Sequence, residues 1–151
     1  MHHYRATCRW KGSTGAGYDA YDRTHVLSAP PADAALDLSA DPAFGGDPAL
    51  FNPESLVLMA ATSCQMLSFL AVAARARLDV TEYLDHAEAV MVDGWISLVR
   101  LRPRITVRDP ATEGRVRHLC EVAHRECFVA RSLRSEITVD PVVNVGRAAP
   151  G

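Results

Sequence analysis

One uncharged segment of twenty residues, 55–74, constrains the fold of this chain more than any other feature. As a helix it is long enough to span a bilayer. However, it is rich in alanine, and polar or weakly polar side chains cluster at its middle: Thr62, Ser63, Cys64, Gln65 and Ser68. We therefore predict a helix that is buried inside a soluble protein rather than a membrane span.

The start of this helix is marked by a capping pair. Asn52 carries a side-chain oxygen that suits an N-cap, and Pro53 suits the first helical position. The helix is predicted to continue to about Arg77.

Shorter segments surround the long helix. Residues 4–11 alternate between apolar and polar side chains, and residues 18–29, which include Arg23, are predicted to pair with them as a hairpin. A loop is predicted over 30–51, and strands are predicted over 79–93, 96–107 and 135–139. A second helix is predicted to start at Asp109-Pro110 and to run to about Arg125, and a short helix is predicted over 127–133. Strands follow strands in groups, instead of alternating strictly with helices, and this order indicates an α+β fold. We predict one domain over 1–145 and a flexible tail over 146–151.

Composition excludes some classes of function. The 151 residues carry a formal net charge of −2, and aromatic residues make up 7%. Nucleic-acid-binding domains usually carry a basic excess or aromatic stacking platforms, so neither nucleic acid nor a membrane is an expected partner. The N-terminus lacks the apolar core of a secretory signal, and four cysteines in such a chain are expected to be free, catalytic or metal-binding. These features predict a cytoplasmic protein.

Cys64 lies about three turns into the apolar helix, where a thiol is inert by default because apolar burial disfavours the thiolate. The helix dipole fades beyond the first turn. The nearest cation in the same helix is Arg75, roughly 16 Å away. If Cys64 is reactive, we therefore expect a cation from elsewhere in the fold.

Several segments resemble the OsmC/Ohr family of thiol peroxidases. The helix opens with Asn52, Pro53 and Glu54 and carries Cys64 ten residues after the glutamate, as in the central helix of that family. Residues 123–140 resemble the family's second-cysteine segment, which matches Cys127, and residues 18–25 resemble the strand with the active-site arginine, which matches Arg23. Three further segments also resemble the family and occur in the same order along the chain as in its members: residues 44–48, 84–91 and 99–107.

The resemblance implies a fold and a chemistry. The fold is an intertwined homodimer, with two long central helices per chain packed against antiparallel β-sheets. The chemistry is reduction of organic hydroperoxides: Cys64 forms a sulfenic acid, Cys127 closes a disulfide with it, and a dithiol reductant reopens that disulfide. Arg23 would lower the pKa of Cys64 and orient the peroxide. No metal or organic cofactor is required.

Glu54 adds a geometric constraint. Ten residues along one helix place it roughly 15 Å from Cys64 and roughly 80° around the helix. If Glu54 positions Arg23 near a thiolate, the arrangement is expected to cross the dimer, so that Glu54 of one chain, with or without Arg23 of the same chain, faces Cys64 of the other.

Two positions depart from the family pattern. Many members have proline where this chain has Phe128, and members of the most similar subgroup often have histidine where it has Gln65. The alternative function is therefore a non-catalytic or weakly catalytic dimer that binds ligands or senses redox state. An apolar wall is expected to favour alkyl or acyl hydroperoxides; it comprises Leu56, Met59, Met66, Leu67 and Phe69.

The remaining candidate residues have simpler interpretations. Cys8 is expected to pack in the core with Tyr4 and Trp10, and Cys120 to be structural. Cys120 and His124 lie one helical turn apart, and zinc binding is kept as a third option although two ligands do not make a site. Tyr83 and Asp85 match the subgroup's Tyr-x-Asp pattern without an evident chemical role.

Overall fold

The computed structural model describes residues 1–108 and 113–146. It divides into two compact units, Met1–Val57 and Leu58–Gly151.

The first unit contains a small antiparallel sheet. Its strands are β1 (Thr7–Arg9), β2 (His25–Ser28) and β3 (Ala35–Leu38), in that spatial order, and Cys8 pairs with Leu27. The predicted hairpin is therefore confirmed, although both strands are shorter than expected. β3 and the short 3-10 turn that follows it, Pro42–Phe44, lie within the predicted loop.

Arg23 lies just before β2 rather than on a strand, which corrects our expectation. The side chain of Asp22 accepts a hydrogen bond from the backbone N–H of Thr24 at 2.8 Å. Such a local bond competes with strand pairing and keeps the chain in a loop up to His25.

Helix α1 (Pro53–Arg75) begins where the capping pair predicts. The Asn52 side chain accepts a hydrogen bond from the backbone N–H of Ser55 at 2.8 Å, and the Ser55 hydroxyl accepts one from the N–H of Asn52 at 3.0 Å. This reciprocal pair satisfies donors that a helix start leaves without partners. The helix ends at Arg75, two residues earlier than predicted.

α1 is the helix in the described part of the chain that has the length and composition to cross a membrane. Its buried residues are Ala61, Gln65, Phe69, Val72 and Ala73. Only 28% of its most apolar stretch is buried within the single chain. The prediction of a buried helix therefore holds for one face, and the other face is open in the monomer.

The second unit contains two three-stranded sheets. One has the order β4-β7-β9 and the other β5-β6-β8. Their strands are β4 (Val80–Asp85), β5 (Glu88–Val92), β6 (Trp95–Leu101), β7 (Pro103–Val107), β8 (Glu136–Val139) and β9 (Val142–Val145). Each sheet has one antiparallel pair, and the pairs β6–β8 and β7–β9 are parallel. β9 was not predicted, and residues 79–93 hold two strands rather than one.

Two further helices complete the second unit, α2 (Glu113–Glu126) and α3 (Phe128–Ser132). The predicted helix start at Asp109-Pro110 lies outside the described residues, as does the predicted tail from residue 147 onwards. The main core brings together side chains of α1, α2 and β7, with Phe69, Ile105 and Val116 fully buried. This packing holds α1 against the segment in which α2 passes into α3.

The α+β prediction is confirmed. The resemblance implied two long helices, whereas the described residues form three, of 23, 14 and 5 residues. The short third helix determines the surroundings of Cys64.

Candidate functional site

Cys64 and Cys127 lie together in the second unit. Cys64 is part-exposed on α1, and Cys127 is the N-cap residue of α3 and is 1% exposed. Each side chain is among the groups that shift the pKa of the other, which places the two thiols side by side. The core packing of α1 against α2 thus brings two residues that are 63 positions apart in the sequence into contact.

The environment of Cys64 stabilises its thiolate. Burial raises the pKa of the thiol, but hydrogen bonds from the backbone N–H of Val129, the Cys127 thiol, the N–H of Phe128 and the Ser68 hydroxyl outweigh it. The net effect holds the pKa of Cys64 below its ordinary value. Hydrogen bonds to the charged form favour that form, so these donors make Cys64 the more acidic thiol of the pair.

Cys127 shows the opposite behaviour. Burial is the main cause that raises its pKa; the N–H group of Ala130 opposes it, the hydrogen bond and negative charge of Cys64 each add a smaller increase, and the N–H group of Val129 has the smallest, lowering, effect. Cys127 therefore stays protonated and donates to Cys64. Of the two sulfurs, that of Cys64 belongs to the part-exposed, more acidic thiol, and that of Cys127 to the buried thiol beside it.

Within the single chain, the groups that lower the pKa of Cys64 are neutral hydrogen-bond donors. The cation that we expected Arg23 to supply stays a prediction for the dimer. Two of the neutral donors are backbone N–H groups at the start of α3, where helix geometry leaves N–H groups without helical partners. Every residue except proline has a backbone N–H group, so these donors could not be identified from the residue types.

A pocket of about 500 Å³ opens over Cys64. Its apolar part includes Leu67 and Phe128, which are 61% and 75% exposed. Three arginines also line it, Arg75, Arg125 and Arg131, and Arg75 forms an ion pair with Glu126 at 2.7 Å. Sequence reasoning missed Arg125 and Arg131, which only the packing of α2 and α3 beside Cys64 identifies.

The predicted apolar wall is mostly not at this pocket. Leu67 lines it, but Phe69 is fully buried in the core, and Met59 and Met66 line a separate pocket of about 310 Å³. Successive helix positions point in different directions, which separates these residues.

Arg23 and Glu54 lie together in the first unit. Both line a pocket of about 390 Å³, together with the aromatic residues Trp10, Tyr21 and Phe44. The ion pairs found among the described residues do not include one between Arg23 and Glu54. Instead, the Arg23 guanidinium donates to the carbonyl oxygens of Tyr21 and Tyr18 at 2.9 and 2.7 Å. One carboxylate oxygen of Glu54 is buried without a hydrogen-bond partner among the described residues.

The other two cysteines are also free thiols. Cys8 is exposed, contrary to the core position that we expected, because it lines the open pocket of the first unit rather than a packed interior. Cys120 is buried, and burial raises its pKa to about 12, which makes it inert near neutral pH. In the described residues no group of three or more histidine, cysteine, aspartate and glutamate side chains is placed to hold a metal ion.

Three further residues acquire structural roles. Asp85 accepts hydrogen bonds from the Thr62 hydroxyl and from the backbone N–H of Arg102, the latter at 2.7 Å, and so connects α1 with the β6–β7 connection. Gln65 is buried and donates to the carbonyl oxygen of Cys120 at 3.3 Å, which joins α1 to α2. Tyr83 packs against Phe69, with ring centroids 5.9 Å apart.

Known structures share this fold. A solved OsmC-like protein of unknown function from Vibrio cholerae has a TM-score of 0.84 and 26% identity, over 94% of this chain and 100% of that one. An organic hydroperoxide resistance protein from Legionella pneumophila has a TM-score of 0.68 and 16% identity, over 96% and 98% of the two chains. The corresponding values for OhrB, an organic hydroperoxide resistance protein of Bacillus subtilis, are 0.61 and 16%, over 95% and 98%.

Sequence comparison agrees with the structural likeness. Among proteins with curated descriptions, none matches this sequence significantly. The family model for OsmC-like proteins, in contrast, matches residues 45–142, a range that includes all of α1 as well as Cys64 and Cys127. The match spans more than half of the sequence, and the chain therefore belongs to the OsmC-like protein family.

Proposed function

We propose that this protein is a thiol peroxidase that reduces organic hydroperoxides to alcohols through Cys64 and Cys127. The observation that carries the proposal is the juxtaposition of a part-exposed Cys64 and a buried Cys127, with the pKa of Cys64 lowered and that of Cys127 raised. A peroxidase of this type needs one accessible thiolate and one adjacent thiol in reserve. The organic hydroperoxide resistance proteins with the same fold support the choice of substrate.

The first step consumes the hydroperoxide. The Cys64 thiolate attacks one peroxide oxygen, an S–O bond forms, the O–O bond breaks, and the departing alkoxide takes up a proton to leave as alcohol. Cys64 is left as a sulfenic acid. The peroxide is reduced by two electrons, which come from the sulfur, so the step requires no metal or organic cofactor.

The second step closes the disulfide. Cys127 attacks the Cys64 sulfur, an S–S bond forms, and the hydroxyl of the sulfenic acid takes up a proton and leaves as water. The negative charge of Cys64 is one cause of the raised pKa of Cys127. Oxidation removes that charge, so Cys127 ionises more readily once its partner is a sulfenic acid. A dithiol reductant then reduces the disulfide and returns both thiols.

We further propose a homodimer in which Arg23 and Glu54 of one chain meet Cys64 of the other. The open apolar face of α1 supports an interface, because Met59 and Leu67 are exposed in the single chain. Glu54 and Cys64 lie ten positions apart on one helix, which argues against a shared site within a chain. In the dimer, Arg23 would orient the peroxide oxygens, while Cys64 is ionised by its own chain.

A cytoplasmic location completes the proposal. All four cysteines are free thiols, which is the state that reducing compartments maintain. The family match covers α1 entirely, which supports its assignment as a core helix of the domain rather than a membrane span.

Steady-state consumption of cumene hydroperoxide with dithiothreitol as reductant tests the proposed activity. We expect turnover by the wild-type protein and none by Cys64→Ser. Cys120→Ser should match the wild type, because Cys120 lines a different pocket and is not among the groups that shift the pKa of Cys64. Consumption that is slow and independent of Cys64 would contradict the peroxidase and favour a redox-sensing dimer without efficient turnover.

A further inference from the structure

The guanidinium of Arg23 is held by two tyrosines. Its Cζ atom lies 4.7 Å from the ring centroid of Tyr18 and 4.1 Å from that of Tyr21. Both distances fall in the range at which a cation is attracted to the face of an aromatic ring. The same residues also accept the two guanidinium hydrogen bonds through their carbonyl oxygens, at 2.7 and 2.9 Å.

The two rings are themselves fixed. Tyr18 and Tyr21 meet edge to face, with centroids 6.2 Å apart and ring planes at 84°. Trp10 meets Tyr21 in the same manner at 6.1 Å and donates from its indole N–H to the carbonyl oxygen of Asp22 at 2.7 Å. Trp10, the residue that follows β1, therefore connects β1 with the loop that carries Arg23.

Gly45 leaves room for the guanidinium on a further side. A Cβ atom at this position would lie 3.0 Å from the Cζ atom of Arg23, and the φ angle of 77° disfavours a side chain. The guanidinium is thus enclosed by two rings, two carbonyl oxygens and a glycine, all within the first unit.

We infer that Tyr18 and Tyr21 are positioning residues that hold Arg23 ready for the peroxide. The inference rests on the proposed function, because the role of Arg23 belongs to it. Two of the five guanidinium N–H groups donate to carbonyl oxygens, and the described residues give the other three no acceptor. Arg23 lines a pocket in which a substrate would accept from them. A long side chain fixed before the substrate arrives loses less rotamer freedom on binding, which lowers the barrier to reaction.

Tyr21 substitutions test this inference through catalysis. Tyr21→Leu removes the ring and is expected to lower kcat/KM for cumene hydroperoxide by about three- to tenfold. Tyr21→Phe keeps the ring face and should retain wild-type kcat/KM, as should the control Tyr4→Leu, since Tyr4 is 92% exposed. Cys64 alkylation as a function of pH should be unchanged in all three variants, because the donors to Cys64 lie in the second unit.

A double-mutant cycle shows whether Tyr21 acts through Arg23. Tyr21→Leu should cause no further loss of kcat/KM in an Arg23→Ala protein. A further loss of similar size, or an equal loss in Tyr21→Phe and Tyr21→Leu, would overturn the inference. So would wild-type kcat/KM in Tyr21→Leu when Arg23→Ala is impaired.

A second measurement does not depend on activity. The Arg23 Nε–H proton should show a ring-current shift in its NMR resonance that Tyr21→Leu reduces, because only the Tyr18 ring then remains, and that Tyr21→Phe preserves. If the wild type shows the shift but no turnover, the proposed function fails while the placement of Arg23 stands. If turnover depends on Arg23 but Tyr21→Leu leaves the resonance unmoved, the positioning role fails alone.

Discussion

The buried thiol of Cys127 lies beside the part-exposed thiol of Cys64, and the pKa values of the two thiols are shifted in opposite directions. The relationship assigns each cysteine its place in the chemistry. Cys64, whose sulfur is accessible, is the thiol that ionises. Cys127, whose sulfur is buried, stays protonated until Cys64 has been oxidised. The relationship also means that the first oxidation removes the charge that keeps the second thiol protonated.

Removal of the Cys127 donor should weaken Cys64 as a nucleophile at low pH. We expect Cys127→Ala to slow iodoacetamide alkylation of Cys64 at pH 6 by about tenfold, since a hydrogen bond to a charged group contributes roughly 1.5–3 kcal/mol. The thiolate is populated above the folded pKa of Cys64 and lost as the pH falls through it. A raised pKa therefore reduces the rate most on the acid side. The rate is followed by mass spectrometry across a pH series.

Two variants serve as controls for this experiment. Cys127→Ser keeps an O–H donor, so its alkylation rate at pH 6 should fall less than that of Cys127→Ala. Cys120→Ala removes another buried thiol, one that is not among the donors to Cys64. An equal loss in Cys120→Ala would show that general packing, rather than the donor, sets the rate.

Phe128 should matter through its backbone. Phe128→Pro deletes one N–H donor to Cys64 at the first position of α3, where proline fits a helix well. We expect alkylation of Cys64 at pH 6 to slow several-fold, as for the loss of one donor among several. Phe128→Ala keeps the N–H group and should leave the rate unchanged. The same slowing in both variants would mean that the exposed ring, not the N–H group, is responsible.

The resolving role of Cys127 gives a stoichiometric signature. Cys127→Ser should consume about one equivalent of cumene hydroperoxide per chain and then stop with Cys64 as a sulfenic acid, which dimedone labels. Wild-type protein treated in the same way should take up little dimedone, because Cys127 captures the sulfenic acid. Rapid labelling of the wild type would exclude Cys127 as the resolving residue.

The dimeric site can be tested by mixing inactive chains. Co-refolded Cys64→Ser and Arg23→Ala chains form about half mixed dimers, each with one intact site if Arg23 acts across the interface. About a quarter of wild-type activity should then return, together with a dimer mass by light scattering. Activity no higher than the sum of the two parents would place Arg23 and Cys64 of one chain in the same site, or Arg23 outside the site.

Local signals in the sequence identified the long helix and its start. The preferences of Asn52 for the N-cap and of Pro53 for the first helical position are local, so the capping pair predicted the start of α1 correctly. The spacing of Glu54 and Cys64 depends only on helix geometry and could likewise be derived. The contact of Cys64 with Cys127 depends on the packing of α1 against α2, and it entered our sequence analysis only through the family resemblance.

The remaining features depend on backbone groups and on distant packing. The N–H donors of Val129 and Phe128 exist at any non-proline residue, so their identity gives no signal. Arg125 and Arg131 reach the Cys64 pocket only because α2 and α3 meet beside α1. Strand propensity favoured a strand at Arg23, but the Asp22–Thr24 bond and the tyrosine contacts keep it in a loop.

The central claim is that Cys64 and Cys127 form the disulfide that follows peroxide reduction. Non-reducing peptide mass spectrometry after one equivalent of cumene hydroperoxide tests it most directly. The account predicts a single major product, the Cys64–Cys127 disulfide within one chain, with Cys8 and Cys120 still reduced. Oxidation spread over all four cysteines, or a disulfide that pairs Cys64 with Cys8 or Cys120, would contradict it.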